Sequence, residues 1–137
     1  MHTAKVVIAA AACSLWAISA NALSPVNPSD VAAHIGHTAT VCGVVAPTDH
    51  AFGTQAGPTF LTLVNPDRPD ASRALTAVVY GSDRAKFRTS PETALEGQHV
   101  CMTGFISFFR QRPEMILSNP RQVTHYAPAR SRMAALQ

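Results

Sequence analysis

Residues 99–106 read HVCMTGFI, and residues 39–46 read ATVCGVVA, so one short chain contains the phrase of valine, cysteine and glycine twice. In both stretches apolar side chains recur at every second position, which is typical of a strand with one buried face. A glycine inside a strand indicates a bulge or a bend. Both copies are therefore predicted to be strands, and the position of the two cysteines within them becomes the question to answer.

The start of the chain has the three parts of a secretory signal peptide. A positive end with Lys5 precedes an apolar run at residues 6–20, and small side chains stand at Ala20 and Ala22. We predict cleavage after Ala22 and a periplasmic or secreted protein of bacterial type. An uncleaved anchor is an alternative, although the run is shorter than the roughly 20 residues of a membrane span. A lipoprotein with a lipid attached to Cys13 is a second alternative. The residues before Cys13 are alanines, whereas lipid-attachment sites usually have a larger aliphatic residue there.

The composition fits one domain after this leader. The chain has 137 residues, of which 47% are hydrophobic and 14% charged, which fits one globular domain. We predict an N-terminal lead at residues 23–31, one domain at residues 32–126 and a flexible tail at residues 127–137. Removal of Lys5 with the leader lowers the formal net charge from +3 to +2. Such a balance neither requires nor excludes a polyanionic partner.

Five stretches of the domain have the composition and period of strands. They are HTATVCGVV at residues 37–45, TFLTLVN at 59–65, ALTAVVYG at 74–81, HVCMTGFISFF at 99–109 and EMILSN at 114–119. A short helix capped by Ser29 or Asp30 is predicted before the first strand, and helical turns starting at Ser82 between the third and fourth. The order predicts an all-β fold with a short helix, a five-stranded Greek-key OB-fold barrel.

Four of these phrases carry a resemblance to a known family: HTATVCGVV, TFLTLVN, the DRAKF of residues 83–87 and the EGQHVCMTGFI of residues 96–106. Over residues 32–123 the chain resembles the OB-fold nucleic-acid-binding domains of the anticodon-binding type. The resemblance implies a binding surface along the second and third strands, beside the loop between the fourth and fifth. A fold of this class hosts many functions, so the residues of the surface must carry any functional argument.

The mature chain retains two cysteines, Cys42 and Cys101. In an OB barrel the first and fourth strands are antiparallel neighbours, and if Val41 and Val100 point inward both cysteines lie on the outer face. Directly opposed Cβ atoms lie about 4.5–5.5 Å apart, close to the roughly 3.8 Å of a disulfide. We predict a Cys42–Cys101 disulfide, as expected of an exported chain. Two unpaired thiols are the alternative.

The predicted loop between the fourth and fifth strands, SFFRQRPE at residues 107–114, places Phe108 and Phe109 beside Arg110 and Arg112. Phe60 lies on the outer face of the second strand, where the resemblance implies a stacking aromatic. Aromatic rings stack on bases and guanidinium groups pair with phosphates, so these five residues predict a site for single-stranded nucleic acid. Further arginines would extend the basic track: Arg68, Arg73 and Arg121.

The same residues allow other interpretations. Phe108 and Phe109 would close the barrel end, and the arginines would be solvated loop residues. A different function on the same face is the binding of an envelope protein, a peptide or a glycan. Acidic side chains, including that of Glu114, interrupt the basic surface.

Catalysis and metal binding have little support in the sequence. The histidines are scattered, and no Cys-x-x-Cys, His-Glu-x-x-His, Gly-x-Ser-x-Gly or phosphate-loop pattern occurs. A hydrolase stays a third possibility without identifiable residues. We therefore expect a non-catalytic binding module with no metal and no cofactor.

Overall fold

The computed structural model describes residues 24–47, 57–70, 72 and 74–127. The predicted signal peptide at residues 1–22, Arg73 and residues 128–137 of the predicted tail lie outside the described residues. No helix in the described ranges combines the length and the hydropathy that crossing a bilayer requires.

The described part of the chain folds mostly as strands. These are β1 (Thr38–Val45), β2 (Thr59–Val64), β3 (Leu75–Val79), β4 (His99–Phe109), β5 (Arg112–Ile116) and β6 (Val123–His125). A 3-10 helix (Pro28–His34) precedes β1, α1 (Gly81–Arg84) and α2 (Pro91–Leu95) lie between β3 and β4, and a second 3-10 helix (Pro120–Gln122) precedes β6. The five predicted strands and the helical region between the third and fourth are confirmed, and β6 is an addition.

The strand pairing closes a barrel. Strand β1 neighbours β2 and β4, β3 lies between β2 and β5, and β5 pairs with β4. All these pairs are antiparallel except β3 with β5. Strands β3 and β5 are parallel, and parallel neighbours cannot be joined by a tight turn. The chain therefore leaves the sheet after β3 through α1 and α2 and returns along β4 before it enters β5. This is the OB-fold topology that the order of strands predicted.

The barrel core comes from the inner faces of the strands. Its fully buried side chains include Val41, Leu61, Leu75, Met102 and Ile106. The inward positions predicted from the period of two are thus confirmed for β1 and β4.

One side chain of β2 is buried although its position does not suggest it. The period of two places Val64 on the same side as Phe60 and opposite to Leu63, yet Val64 is buried. The N-terminal 3-10 helix packs against this end of β2, where the side-chain amide of Asn65 donates a hydrogen bond of 3.3 Å to the hydroxyl of Ser29. The period of two therefore does not by itself decide which side chains are buried at the end of this strand.

The two glycines of the repeated phrase lie where no side chain fits. A Cβ atom at Gly43 would lie 2.5 Å from the carbonyl oxygen of Val64 and 2.7 Å from Cγ of Pro28. A Cβ atom at Gly104 would lie 2.9 Å from Cγ of Met115. The β1–β4 register runs without interruption through both glycines, so each permits a close approach and neither forms a bulge.

The helix caps differ from those predicted. Asn27 caps the first 3-10 helix, and its side chain accepts a hydrogen bond of 3.1 Å from the backbone N–H of Ser29. The following Pro28 is favoured at the first helical position, which moves the start of the helix before Ser29. Ser82 lies inside α1, whose N-cap is Tyr80, because the chain turns into the helix directly after the extended end of β3. The predicted caps at Ser29, Asp30 and Ser82 are therefore wrong.

Strand β6 lies beside β4 next to β5, and one side chain fills the gap between them. The amide nitrogen of Gln122 donates to the carbonyl oxygens of Thr103 and Ile116, both at 3.1 Å. Its amide oxygen accepts from the backbone N–H groups of Ser118 at 2.8 Å and Asn119 at 3.0 Å. Gln122 thus hydrogen-bonds to four backbone groups, which fixes the chain after β5 against the barrel.

Candidate functional site

A groove of about 480 Å³ lies on the outer face of β2, β3 and β5, beside the β4–β5 hairpin. This volume is within the range of small-ligand sites. The groove is lined by Pro58, Phe60, Thr62, Thr76, Val78, Tyr80, Phe109, Arg110, Arg112 and Glu114. It lies on the face from which an OB barrel binds its ligands.

The strand register arranges these side chains in rows across the sheet. The apolar row is Phe60 and Val78, the polar row is Thr62, Thr76 and Glu114, and the hairpin row is Phe109 with Arg112. Successive rows are two residues apart along the strands, which is about 6.7 Å. Hydrogen-bonding groups therefore lie between two sets of aromatic side chains.

Three aromatic rings around the groove are exposed. The exposed fraction is 52% for Phe60, 45% for Tyr80 and 55% for Phe109, whereas Val78 between them is 2% exposed and forms the floor. Three rings this exposed to solvent on one concave surface are typical of a ligand-binding groove or an interaction site.

The β4–β5 connection is a tight hairpin. Its two turn residues, Arg110 and Gln111, both have positive φ, at 48° and 64°. This conformation matches the twist of the flanking strands but normally selects Asn-Gly. The loop predicted at residues 107–114 is therefore too long, because most of these residues belong to β4 and β5. The turn itself consists of Arg110 and Gln111, and neither residue is of a type that marks a turn in a sequence.

The hairpin sends neighbouring residues to opposite faces. Phe109 pairs with Arg112, and both side chains line the groove. Phe108 pairs with Pro113 and is 58% exposed. Because it follows the buried Ile106 by two positions, it lies on the inner side of β4, at the end of the strand that extends past the core.

Four of the five predicted binding residues are thus brought together in the groove, and Phe108 is not among them. The structure also places Arg68 and Arg121 away from the groove lining, and Arg73 lies outside the described residues.

One cation of the groove already contacts a ring. Cζ of Arg110 lies 5.3 Å from the ring centroid of Phe109, a cation–π geometry. The contact orients the Arg110 side chain along the hairpin, and the N–H groups at the edge of the guanidinium plane can still donate to an anion.

Tyr80 was missed in the sequence because it was assigned only to the end of a strand. The period of two through Thr76, Val78 and Tyr80 is the signal that finds it, since all three line the groove. Helix α1 begins directly after Tyr80 and is fixed by Arg84. The Arg84 guanidinium hydrogen-bonds to the hydroxyl of Thr59, at the start of β2.

Arg84 acts as a structural clamp beside the groove. It donates two hydrogen bonds to the Glu92 carboxylate, at 3.0 Å and 2.7 Å, which join α1 to α2. The hydrogen bond to Glu92 raises the pKa of Arg84, and burial opposes this only in part. With its donors directed at Thr59 and Glu92, Arg84 holds the end of β3 in place.

Within the residue ranges that the structure describes, no three metal-ligating side chains lie close enough together to share an ion.

Comparison with known proteins gives a fold-level likeness only. No protein-family model matches the chain, and no curated protein matches it. Among 21 matching chains of solved structures is a protein from Leishmania major Friedlin assigned as an aspartyl-tRNA synthetase. The TM-score is 0.47 at 9% identity, over 82% of this chain and 23% of the other, so the chain spans less than a quarter of that protein. The OB fold is established by the strand topology, and membership of the anticodon-binding type stays a prediction.

Proposed function

We propose that the mature chain is an exported, non-catalytic binding module that takes single-stranded nucleic acid in the groove of β2, β3 and β5. The observation that carries the proposal is the convergence of three exposed rings, those of Phe60, Tyr80 and Phe109, on one groove that has Arg110 and Arg112 at one end.

The rings supply a surface for unpaired bases. Stacking of a base on an aromatic side chain contributes about 1–3 kcal/mol and is available to every base. Bases in a duplex are already stacked on each other and cannot lie on a protein ring, so the exposed faces of Phe60, Tyr80 and Phe109 favour a single strand.

The arginines supply the complementary charge. Arg110 and Arg112 both lie at the hairpin end of the groove, so a strand would pass its phosphates there and turn its bases toward the floor at Val78. Guanidinium groups bind phosphate oxygens through paired N–H donors. Two such contacts support modest, salt-dependent binding and no more, in keeping with the mild net charge of the chain.

The disulfide supports export. Cys42 and Cys101 are bonded, as predicted, and structural disulfides persist in oxidising compartments. Together with the predicted leader at residues 1–22, the bond favours a periplasmic or secreted location.

The test is fluorescence anisotropy of labelled single-stranded DNA and RNA with the mature protein at two salt concentrations. The decisive variant is Arg110→Ala/Arg112→Ala. The matched control is Arg88→Ala/Arg121→Ala, which removes the same charge from exposed positions outside the groove. Loss of two phosphate contacts lowers the slope of log affinity against log salt by about 1.4, because each contact on a single strand releases about 0.7 counterion.

We expect the groove variant to bind weakly with the reduced slope and the control to bind as the parent does. Equal losses in the two variants would mean that net charge alone attracts the strand. No binding by the parent at low salt would reject the proposal and favour a protein, peptide or glycan on the same face.

A further inference from the structure

Glu114 is an unexpected side chain for the middle of a phosphate-binding groove. It is half-buried in the polar row beside Thr76, one row from Arg112. No ion pair joins its carboxylate to another residue within the described ranges. A carboxylate repels phosphate, so a strand in this groove has to keep its backbone away from Glu114 and turn a base edge toward it.

The hairpin places a ring within reach of that carboxylate. Glu114 pairs with Ser107 across the β4–β5 ladder, and Phe109 follows Ser107 by two positions, so Phe109 and Glu114 are diagonal neighbours. Diagonal side chains on one face have separations of about 7–8 Å, which aromatic and long side chains span. A base that lies on the Phe109 ring can therefore present its edge to the Glu114 carboxylate.

The four base types differ in what that edge offers. A carboxylate only accepts hydrogen bonds, through two oxygens. The pairing edge of guanine carries two adjacent donors, the ring N1–H and the amino group at C2. Adenine and cytosine each place an accepting ring nitrogen beside their amino group, and thymine and uracil flank their single N–H with carbonyl oxygens. Guanine alone matches both carboxylate oxygens.

We propose that the groove selects guanine in single-stranded nucleic acid through two hydrogen bonds from the base to the carboxylate of Glu114. This inference rests on the proposed function and adds the base preference to it. The aromatic side chains bind any base, and Glu114 supplies the discrimination.

The test uses oligothymidine strands in which one central thymine is replaced by guanine, hypoxanthine, adenine or cytosine. A single guanine prevents folding of the strand into four-stranded structures. With the mature protein we expect about tenfold tighter binding of the guanine strand than of oligothymidine, as for a good bidentate contact. Hypoxanthine keeps N1–H but lacks the amino group at C2, so it should lose most of the gain.

The variant Glu114→Gln keeps the size of the side chain and removes the charge. Its amide offers one donor and one acceptor, so it cannot accept both hydrogen bonds of guanine. We expect the variant to bind oligothymidine at least as tightly as the parent does, to bind the guanine strand less tightly than the parent does, and so to lose the preference for guanine. The control Asp30→Asn removes a negative charge from the exposed first turn of the N-terminal 3-10 helix and should keep the preference.

The outcomes separate the two proposals. If the parent binds all strands equally and the Arg110→Ala/Arg112→Ala variant loses binding, the guanine inference is wrong and the proposed function stands. A guanine preference that survives in Glu114→Gln would also overturn the inference. If the parent binds no strand, the proposed function fails and the inference falls with it.

Discussion

Cys42 lies directly opposite Cys101 in the antiparallel pair of β1 and β4, with Cα atoms 4.0 Å apart and the two sulfur atoms bonded. The bond joins residues 59 positions apart in sequence and fixes the register in which Val41 of one repeated phrase and Val100 of the other lie in the core. A shift of one position would turn every buried side chain of β4 outward, so the covalent link protects the seam that closes the barrel.

Removal of this link should destabilise the barrel strongly. For a loop of this length the chain-entropy model gives about 4 kcal/mol, so we expect Cys42→Ala/Cys101→Ala to lose up to that much free energy of unfolding in urea. Intact-mass analysis of the purified mature protein after alkylation should show no modified thiol until a reductant is added. Two alkylated cysteines without reduction would contradict the bond.

An exposed ring inside the groove and an exposed ring outside it should contribute unequally to binding. Phe60→Ala removes a ring from the groove and should weaken binding of a single strand about tenfold, within the 1–3 kcal/mol of a stacked base. Phe108→Ala removes an equally exposed ring from the other face and should leave the affinity unchanged. Anisotropy titrations of both variants at one salt concentration make the comparison, and a larger loss for Phe108→Ala would place the ligand elsewhere.

The two glycines of the repeated phrase should differ in their tolerance of a methyl group. In Gly43→Ala the nearest atom to the new Cβ is a backbone oxygen of β2, which cannot move alone, so we expect a loss of about 3 kcal/mol. In Gly104→Ala the nearest atoms belong to the flexible side chain of Met115, and a loss of about 1 kcal/mol is expected. Urea unfolding measures the loss of stability in each variant. A larger loss in Gly104→Ala than in Gly43→Ala would show that the β1–β2 contact accommodates a methyl group more easily than the contact with Met115 does.

Tyr126 should make the stability depend on pH in the alkaline range. Burial, and after it the negative charge of Asp67, raises the pKa of Tyr126. A raised pKa in the folded state means that the stabilising contribution is fully present below the unfolded value of about 10 and is lost as pH rises through the folded value. We expect the free energy of unfolding to fall above about pH 10 in the parent and to fall less in Tyr126→Phe.

The absorbance of tyrosinate provides an independent reading of Tyr126. The chain has two tyrosines, so the difference between the titrations of the parent and of Tyr126→Phe isolates one of them. In the folded protein this difference should rise at higher pH than in the protein unfolded in urea. Coincident curves would show that the Tyr126 hydroxyl is solvated.

Much of the barrel could be predicted because each strand shows a period of two in its own stretch of sequence. The period of two in β1 and β4 assigned Val41 and Val100 to the core, and the order of strands and helices matched one topology. Errors occurred where a distant part of the chain decides the outcome. Strand β6 was not predicted, because it is only three residues long and is formed by its pairing with β4.

The candidate site was less predictable than the fold. Phe108 and Phe109 are adjacent and chemically identical, and only the register with Arg112 and Pro113 decides which ring faces the groove. Tyr80 joins the site because β3 lies beside β2 and α1 turns the chain directly after it.

The sequence by itself determined the strands, the inward side of each and the pair of cysteines, because alternation and composition act over neighbouring residues. The tertiary structure decided which outward side chains meet. Phe60, Tyr80, Phe109 and Glu114 come from four strands or strand ends, and closure of the barrel brings them around one groove. Such a convergence depends on pairings between residues far apart in the chain, and local patterns carry no information about distances of that kind.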